Sequence, residues 1–281
     1  MKLSVLFTVH NRFELLRKSL ISLAHQSVLP DEVIVSDDGS DEDIPALLRS
    51  AAISLPFSVN YVRQEHRGFR AAKVRNNAAR LATGDYFIFL DQDIIGTRHF
   101  IKTYLKDARP KEFRVSWPIR LTPEQTEQLT DHDITQFQFD ALVTPEQYNK
   151  VRKQYRKERF YYFMHSLHLR KIGPKLRSGL FSISRDDYYD VNGFDERYQG
   201  WGNEDDDLGR RLHVAGIRGK NPFLHEYPLH LYHEPNRVGE ERPNLSYYRK
   251  RLKEIHNGDY RCEYGVENPL GYENLTILQL N

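Results

Sequence analysis

Four short apolar runs, separated by amphipathic or turn-rich stretches, occupy the first hundred residues and leave few folds open to the chain. Leu3–Val9 is a near-continuous apolar run, the pattern of a strand buried on both faces. Phe13, Leu16, Leu20 and Leu23 then form a helical stripe. Asn11 followed by Glu14 has the form of a capping box, which predicts the helix start there. After Pro30, Glu32–Ser36 reads as the second strand. Asp37-Asp38-Gly39-Ser40 supplies turn and N-cap chemistry before a helix over 41–54. Ser58–Arg63 reads as a third strand, Phe69–Ala82 as a helix closed by Gly84, and Tyr86–Leu90 as a fourth strand. This β-α-β-α-β-α-β order predicts a parallel sheet with helices on its faces. Ligands of such sheets sit outside the carboxyl ends of the strands. Three polar clusters follow strands here: His10-Asn11-Arg12, Asp37-Asp38 and Asp91-Gln92-Asp93. All three are expected to face one crevice.

The rest of the composition narrows the class. With 281 residues, 39% apolar and 28% charged, the chain can bury a full core and is not of disordered type. No apolar run approaches the ~18–20 residues of a membrane-spanning helix. The opening residues lack a small-residue cleavage site, so they read as a first strand and not a signal peptide. The lone Cys262 excludes an internal disulfide and any Cys-rich zinc site, and a cytoplasmic location is the expectation. The net charge of +2 hides an asymmetry: Lys150–Arg177 holds ten Lys/Arg against one acid, Glu158, a balance of +9 that leaves −7 elsewhere. That stretch reads either as a solvated basic helix or as a face for an anionic partner. Its aromatics, Tyr155 and Phe160–Phe163, are core candidates as much as stacking groups.

The second half carries further chemistry. Residues 178–184 read as a return strand, Asp186–Val191 as helical and Asn192-Gly193 as a turn. Gly200-Trp201-Gly202-Asn203 then leads into Glu204-Asp205-Asp206-Asp207, which opens a helix through Leu208 and Leu212. Acids at a helix start complement its dipole. Four adjacent carboxylates also repel one another, and one with a raised pKa suits general base work. Trp201 can pack on the apolar face of a sugar. Asp91 and Asp93 project to one side of an extended chain, where they can hold a divalent cation or merely favour a turn. His230 and His233, at the end of the strand-like Leu229–Tyr232, can reach a metal, though the chain has twelve histidines. No periodic signal is legible from 237 onward.

Together these pieces resemble the inverting family 2 glycosyltransferases with the nucleotide-diphospho-sugar transferase (GT-A) fold, an α/β fold with a mostly parallel central sheet flanked by helices. The residues that carry the resemblance are Thr8–Arg12, Gln26-Ser27, Pro30–Ser40, Arg75-Asn76, Gly84–Tyr86 and Asp91–Asp93. Asn192-Gly193-Phe194, Trp201–Asp207 and the His-x-x-His-Glu-Pro-Asn run from His230 are similar to the motif shared by β-1,4-galactosyltransferases and bacterial chondroitin-type polymerases. His10 stands where many relatives have an aromatic such as Tyr, and Asn203 replaces a second glycine.

The resemblance implies roles. Thr8, His10, Arg12, Asp38, Arg75 and Asp91 would bind the nucleotide-diphospho-sugar, most plainly a UDP-sugar. Asp93 and His233, with His230 a candidate third ligand, would hold Mn²⁺ or Mg²⁺. Trp201 and Glu204 would hold the saccharide acceptor, and Asp205 would be the base of a single in-line displacement. The implied division is a nucleotide-sugar half over 1–104, a variable basic and aromatic segment over 105–177, an acceptor and catalytic half over 178–236, and a packing tail over 237–281. The implied setting is bacterial surface polysaccharide synthesis, with an acceptor that is free, lipid-linked or anionic, a peripheral membrane contact among the options, and no nucleic acid.

Other readings fit less well. A phosphatase with an Asp nucleophile carries its Asp-x-Asp after the first strand, not the fourth. A dinucleotide site wants Gly-x-Gly-x-x-Gly where this chain has His10–Glu14, and a nucleotidyltransferase also wants a glycine-rich loop there. The non-enzyme alternative is an inactive carbohydrate- or nucleotide-binding module of the same fold, which need not keep Asp93, Asp205 and His233 together.

Overall fold

The computed structural model describes residues 1–51, 54–177, 179–234, 243–271 and 273–280. In chain order the elements begin β1 (Leu3–Val9), α1 (Phe13–Ala24), β2 (Glu32–Asp37), α2 (Ile44–Ser50), β3 (Ser58–Arg63), α3 (Ala71–Leu81), β4 (Tyr86–Asp91) and β5 (Ile94–Ile95). There follow α4 (Phe100–Leu105), β6 (Glu112–Val115), β7 (Ile119–Arg120), α5 (Pro123–Gln128), α6 (Asp131–Gln136) and α7 (Pro145–Ser166). The chain continues with β8 (Leu180–Ser184), α8 (Arg185–Asp190), α9 (Glu204–Val214), β9 (Arg218–Lys220), β10 (Leu229–His230), α10 (Leu245–His256) and β11 (Thr276–Gln279).

The main sheet runs β11-β3-β2-β1-β4-β8-β6-β9. Its pairings are parallel from β3 through β2 and β1 to β4, and again between β6 and β9. The return strand β8 is antiparallel to both β4 and β6, and β11 closes the far edge antiparallel to β3. Central β1 pairs Val5 with Val33 on one side and with Ile88 on the other.

Strand side chains alternate between two cores, as the two-residue period requires. Val5, Phe7 and Val9 join Val33, Val35, Ile88 and Leu90 under the Leu16, Leu20 and Leu23 face of α1. Leu6, Ile34, Phe87 and Phe89 pack on the opposite side against Ala72, Ala78 and Ala79 of α3 and Leu208 and Leu212 of α9. At about 25 cal/mol per Å² of buried apolar surface, these two layers are the main source of stability.

Several local expectations are corrected. α1 is not capped by Asn11 and Glu14. Asn11 and Arg12 are both left-handed (φ 54° and 59°), and the Glu42 carboxylate accepts from the Arg12 and Phe13 N–H groups at 3.1 and 2.8 Å. Asn11 Oδ1 instead accepts from Asp41 N at 2.8 Å, lacing the two loops together, while Glu14 pairs with Arg17. The helix expected over 41–54 spans Ile44–Ser50, with Asp43 capping Ala46 N; residues 52 and 53 lie outside the described set. Gly84 is not a left-handed cap, because Ala82 already leaves α3 extended. It allows close packing: a Cβ there would meet Ser4 Oγ at 2.4 Å. The tail that showed no periodicity forms both α10 and the edge strand β11. Ser178 and the Pro235-Asn236 end of the histidine run lie outside the described residues.

Candidate active site

The carboxyl ends of β1, β2 and β4 open on a cavity of about 450 Å³. Among its lining residues are Thr8, His10, Arg12, Asp38, Arg75, Asp91, Asp93, Trp201, His230 and His233. The parallel register places these loops side by side: Thr8 is level with Ser36 and with Asp91.

The short second sheet builds one wall. β10 pairs antiparallel with β5 and parallel with β7, and Leu231 N donates to Asp93 O at 2.9 Å. This brings two histidines, 137 and 140 residues further along the chain, onto Asp93. His233 Nε2 is 2.8 Å and His230 Nε2 3.5 Å from Asp93 Oδ2. Burial pushes the Asp93 carboxyl up, but the hydrogen bond from His233 and the charges of both imidazoles outweigh it, so the net shift is downward. His233 is raised by its bond to Asp93, against the opposing effect of burial.

Asp93 Oδ1 is buried with no hydrogen-bond partner among the described residues, and one carboxylate oxygen and two imidazole nitrogens lie within 4.8 Å of one another. That donor set fits a divalent cation. His233 Nδ1 stands 2.9 Å from Glu234 O and 2.8 Å from Arg12 Nη1. Arg12 can only donate and the carbonyl only accept, so the two contacts need opposite states of Nδ1: a protonated Nδ1 donates to Glu234 O, a bare one accepts from Arg12, and Nε2 is the nitrogen that faces Asp93.

At the end of β4, Asp91 Oδ1 accepts from Arg75 Nη2 at 3.0 Å. The other arm of Arg75, Nη1, lies 3.6 Å from Glu204 Oε1. One buried guanidinium thus joins the strand end to the start of α9. Gly179 makes this possible, since its O accepts from Asp91 N at 3.0 Å and a Cβ on it would fall 1.9 Å from Asp91 Oδ2.

The four acids of α9 face different neighbours, because successive helical residues turn by about 100°. Asp207 is fully buried against Arg211, 2.5 Å away, and accepts from Tyr198 Oη. Asp206 bonds Arg210, Tyr248 and Lys175, and these contacts bring it below the usual carboxylate range despite burial. Among the described residues Glu204 has the 3.6 Å contact with Arg75, and its buried Oε2 finds no hydrogen-bond partner. Burial and the adjacent Asp205 push it up to about 7, with Arg75 opposing. Asp205 is also raised by burial, against the pull of Lys175 and Arg177, and its Oδ1 accepts from Asp206 N at 2.7 Å. Asp206 and Asp207 are therefore taken up in close ion pairs, which Glu204 and Asp205 do not make among the described residues.

Asp38, in the cavity lining, accepts from Gln64 Nε2 at 2.6 Å and from Arg70 N at 3.0 Å. Burial raises its pKa in spite of these bonds. Asp37 acts within the loop itself, where it ties the turn through Ser40 and takes the Tyr61 hydroxyl at 2.6 Å. His10 stacks on His66 with ring centroids 4.7 Å apart.

Trp201 is 48% exposed on a loop where Gly200, Gly202 and Asn203 all have positive φ. The loop is tied down by Gly200 N donating to Phe69 O at 2.8 Å and by Asn244 Nδ2 donating to the carbonyls of Gly200 and Gly202. Sequence reasoning missed Gly179, Asn244 and Gln92. Gln92 accepts from His10 N and donates to Asn11 O, holding the loop after β1. Its place between two candidate aspartates was a usable signal, whereas nothing local marks Gly179 or Asn244.

The fold is that of the nucleotide-diphospho-sugar transferases, with the candidate site at the carboxyl ends of its parallel strands. The chain belongs to glycosyl transferase family 2, whose family model matches residues 4–187. A second family model, described as the N-terminal domain of galactosyltransferase, matches residues 158–234. Validoxylamine A glucosyltransferase of Streptomyces hygroscopicus subsp. limoneus is 30% identical over 83% of this chain and 53% of its own. Chondroitin synthase of Escherichia coli is 27% identical over 76% of this chain and 32% of its own. The chain thus spans about half or less of these curated relatives. The crystal structure of GalNAc-T7 with UDP, GalNAc and Mn²⁺ shares the fold, with a TM-score of 0.58, 16% identity, and coverage of 92% of this chain and 50% of that one.

Proposed function

We propose that the chain transfers a sugar from a UDP-sugar to a hydroxyl of a saccharide acceptor, with inversion at the anomeric carbon and dependence on a divalent cation. The observation that carries this reading is the convergence of Asp93, His230 and His233 on the wall of a cavity that Asp38 and Trp201 also line. Asp38, with Thr8 and His10 beside it, holds the base and ribose. Asp91 orients the ribose or the donor sugar, and Arg75 fixes Asp91. Arg12 closes the cavity over the donor by donating to Glu234 O. Asp93, His233 and His230 would hold Mn²⁺, which would supply Lewis-acid neutralisation of the diphosphate.

Trp201 packs on the acceptor ring and Glu204 takes one of its hydroxyls. Asp205 removes the proton from the attacking hydroxyl, whose oxygen bonds to the anomeric carbon as the bond to the diphosphate breaks. Its raised pKa supports this role. Bacterial surface polysaccharide synthesis on the cytoplasmic side of a membrane is the setting of this reading, supported by the chondroitin synthase among the relatives.

The test is a thermal-shift panel of UDP, GDP, CDP and dTDP, each with Mn²⁺ or EDTA, on wild type and Asp93→Ala. Ligand at 100 times its Kd stabilises by about 2.7 kcal/mol, so no acceptor is needed. A shift confined to UDP, Mn²⁺ and an intact Asp93 is expected. No shift with any nucleotide overturns the donor site. A shift without subsequent transfer to any saccharide favours an inactive binding module.

A further inference from the structure

The second half of α7 and the turn after it expose four large apolar side chains at 50–68%: Phe160, Phe163, Leu167 and Leu169. Lys153, Arg156, Phe160, Phe163 and Leu167 follow one another at spacings of three and four, which lays them along one stripe of the helix. Each of the five is exposed. The stripe is cationic at its start and apolar at its end. Arg170 and Lys171, both exposed, follow the apolar end.

The one acid within this basic stretch does not temper the surface. Glu158 is 1% exposed, turned inward to Trp117, Asn221 and Gln154, and raised by burial. The solvent-facing charge of α7 from Lys150 onward is therefore entirely positive. α7 is also no ordinary surface helix, since only Val151 and Glu158 of its 22 residues are buried.

We infer that this face of α7 docks on an anionic phospholipid bilayer, with Phe160, Phe163, Leu167 and Leu169 entering the headgroup–acyl boundary and the Lys/Arg groups meeting the lipid phosphates. Charge complementarity selects an anionic partner. The exposed leucines select a lipid over a polyanionic glycan, which offers charge and flat sugar faces but no acyl interior to take an aliphatic side chain. Long Lys and Arg stems at the edge of such a patch reach outward to the headgroups. The inference does not depend on the donor reading and is tested without a nucleotide.

The experiment is co-sedimentation with vesicles of pure phosphatidylcholine or of phosphatidylcholine with 30 mol% phosphatidylglycerol, at low and high salt. Wild type is expected to sediment only with the anionic vesicles, and less so as salt screens the charge. Lys153→Ala/Arg156→Ala should lower partitioning roughly 25-fold, at about fivefold per cation near the surface. Phe160→Ser/Phe163→Ser/Leu169→Ser should abolish it at both salts. Unchanged thermal melting of either variant keeps that result interpretable, and one well-folded variant suffices. No sedimentation, or equal sedimentation with neutral vesicles, overturns the proposal. So does retention on a heparin column that the alanine pair loses and the serine triple keeps, which assigns the face to an anionic glycan.

Discussion

Replacing Glu204 with Gln should make the protein more stable at alkaline pH and less active. The native pKa of Glu204 is about 7, against an ordinary 4.5. Between those values the folded state keeps a proton that the unfolded chain has released. Stability therefore falls as pH rises from 4.5 to 7 and is level above that. The span of 2.5 units corresponds to a penalty of about 3 kcal/mol at pH 8, since each unit is worth about 1.4 kcal/mol.

Gln copies the protonated acid, so Glu204→Gln should stabilise by less than about 1 kcal/mol near pH 5 and recover much of the full penalty at pH 8. Arg75 keeps Asp91 as a partner 3.0 Å away, which limits the loss from the missing charge. Urea denaturation at the two pH values measures the difference. Acceptor kcat/KM should fall about tenfold or more, the usual exchange between stability and a strained functional site. Equal effects at pH 5 and pH 8, or destabilisation at pH 8, would show that Arg75 needs the Glu204 charge and would sink the argument.

Asp205→Asn should lower turnover by at least the ~10²-fold typical of a missing general base, with the UDP-induced melting shift intact; near-normal turnover would move the base elsewhere. Gly179→Ala places a methyl 1.9 Å from Asp91 Oδ2. It should cost about 1–3 kcal/mol in denaturant melts and weaken donor binding by displacing Asp91. A variant with normal stability and UDP affinity would show that the strand end yields without loss. Asn244→Ala removes both ties to the Gly200 and Gly202 carbonyls. It should raise KM for the acceptor while leaving the UDP shift unchanged, and an altered UDP shift instead would place the Trp201 loop on the donor side.

The first four strands and three helices were legible because burial on both faces writes a continuous apolar run into a central strand, and packing on one face writes a stripe into a helix. Leu3–Val9 and Ser58–Arg63 could be bounded to the residue for that reason. The strand-end carboxylates were legible too, since sheet topology sends every such loop to one crevice. Alternation at short range determined that much.

The remainder depends on partners far along the chain, which spacing does not record. Glu42 and not Glu14 caps α1, because two loops with left-handed residues happen to meet. Glu204, Asp205, Asp206 and Asp207 read as one acidic run, and only packing gave Asp206 and Asp207 their cations and left Glu204 raised. His230 and His233 were candidates in the sequence, but what sets both against Asp93 is the pairing of β10 with β5, a long-range strand contact. Asn244 and Gly179 have no local signature, since one acts by reaching a distant loop and the other by the absence of an atom. Burial leaves its period in the sequence, whereas the choice of a polar partner is made only when the chain closes on itself.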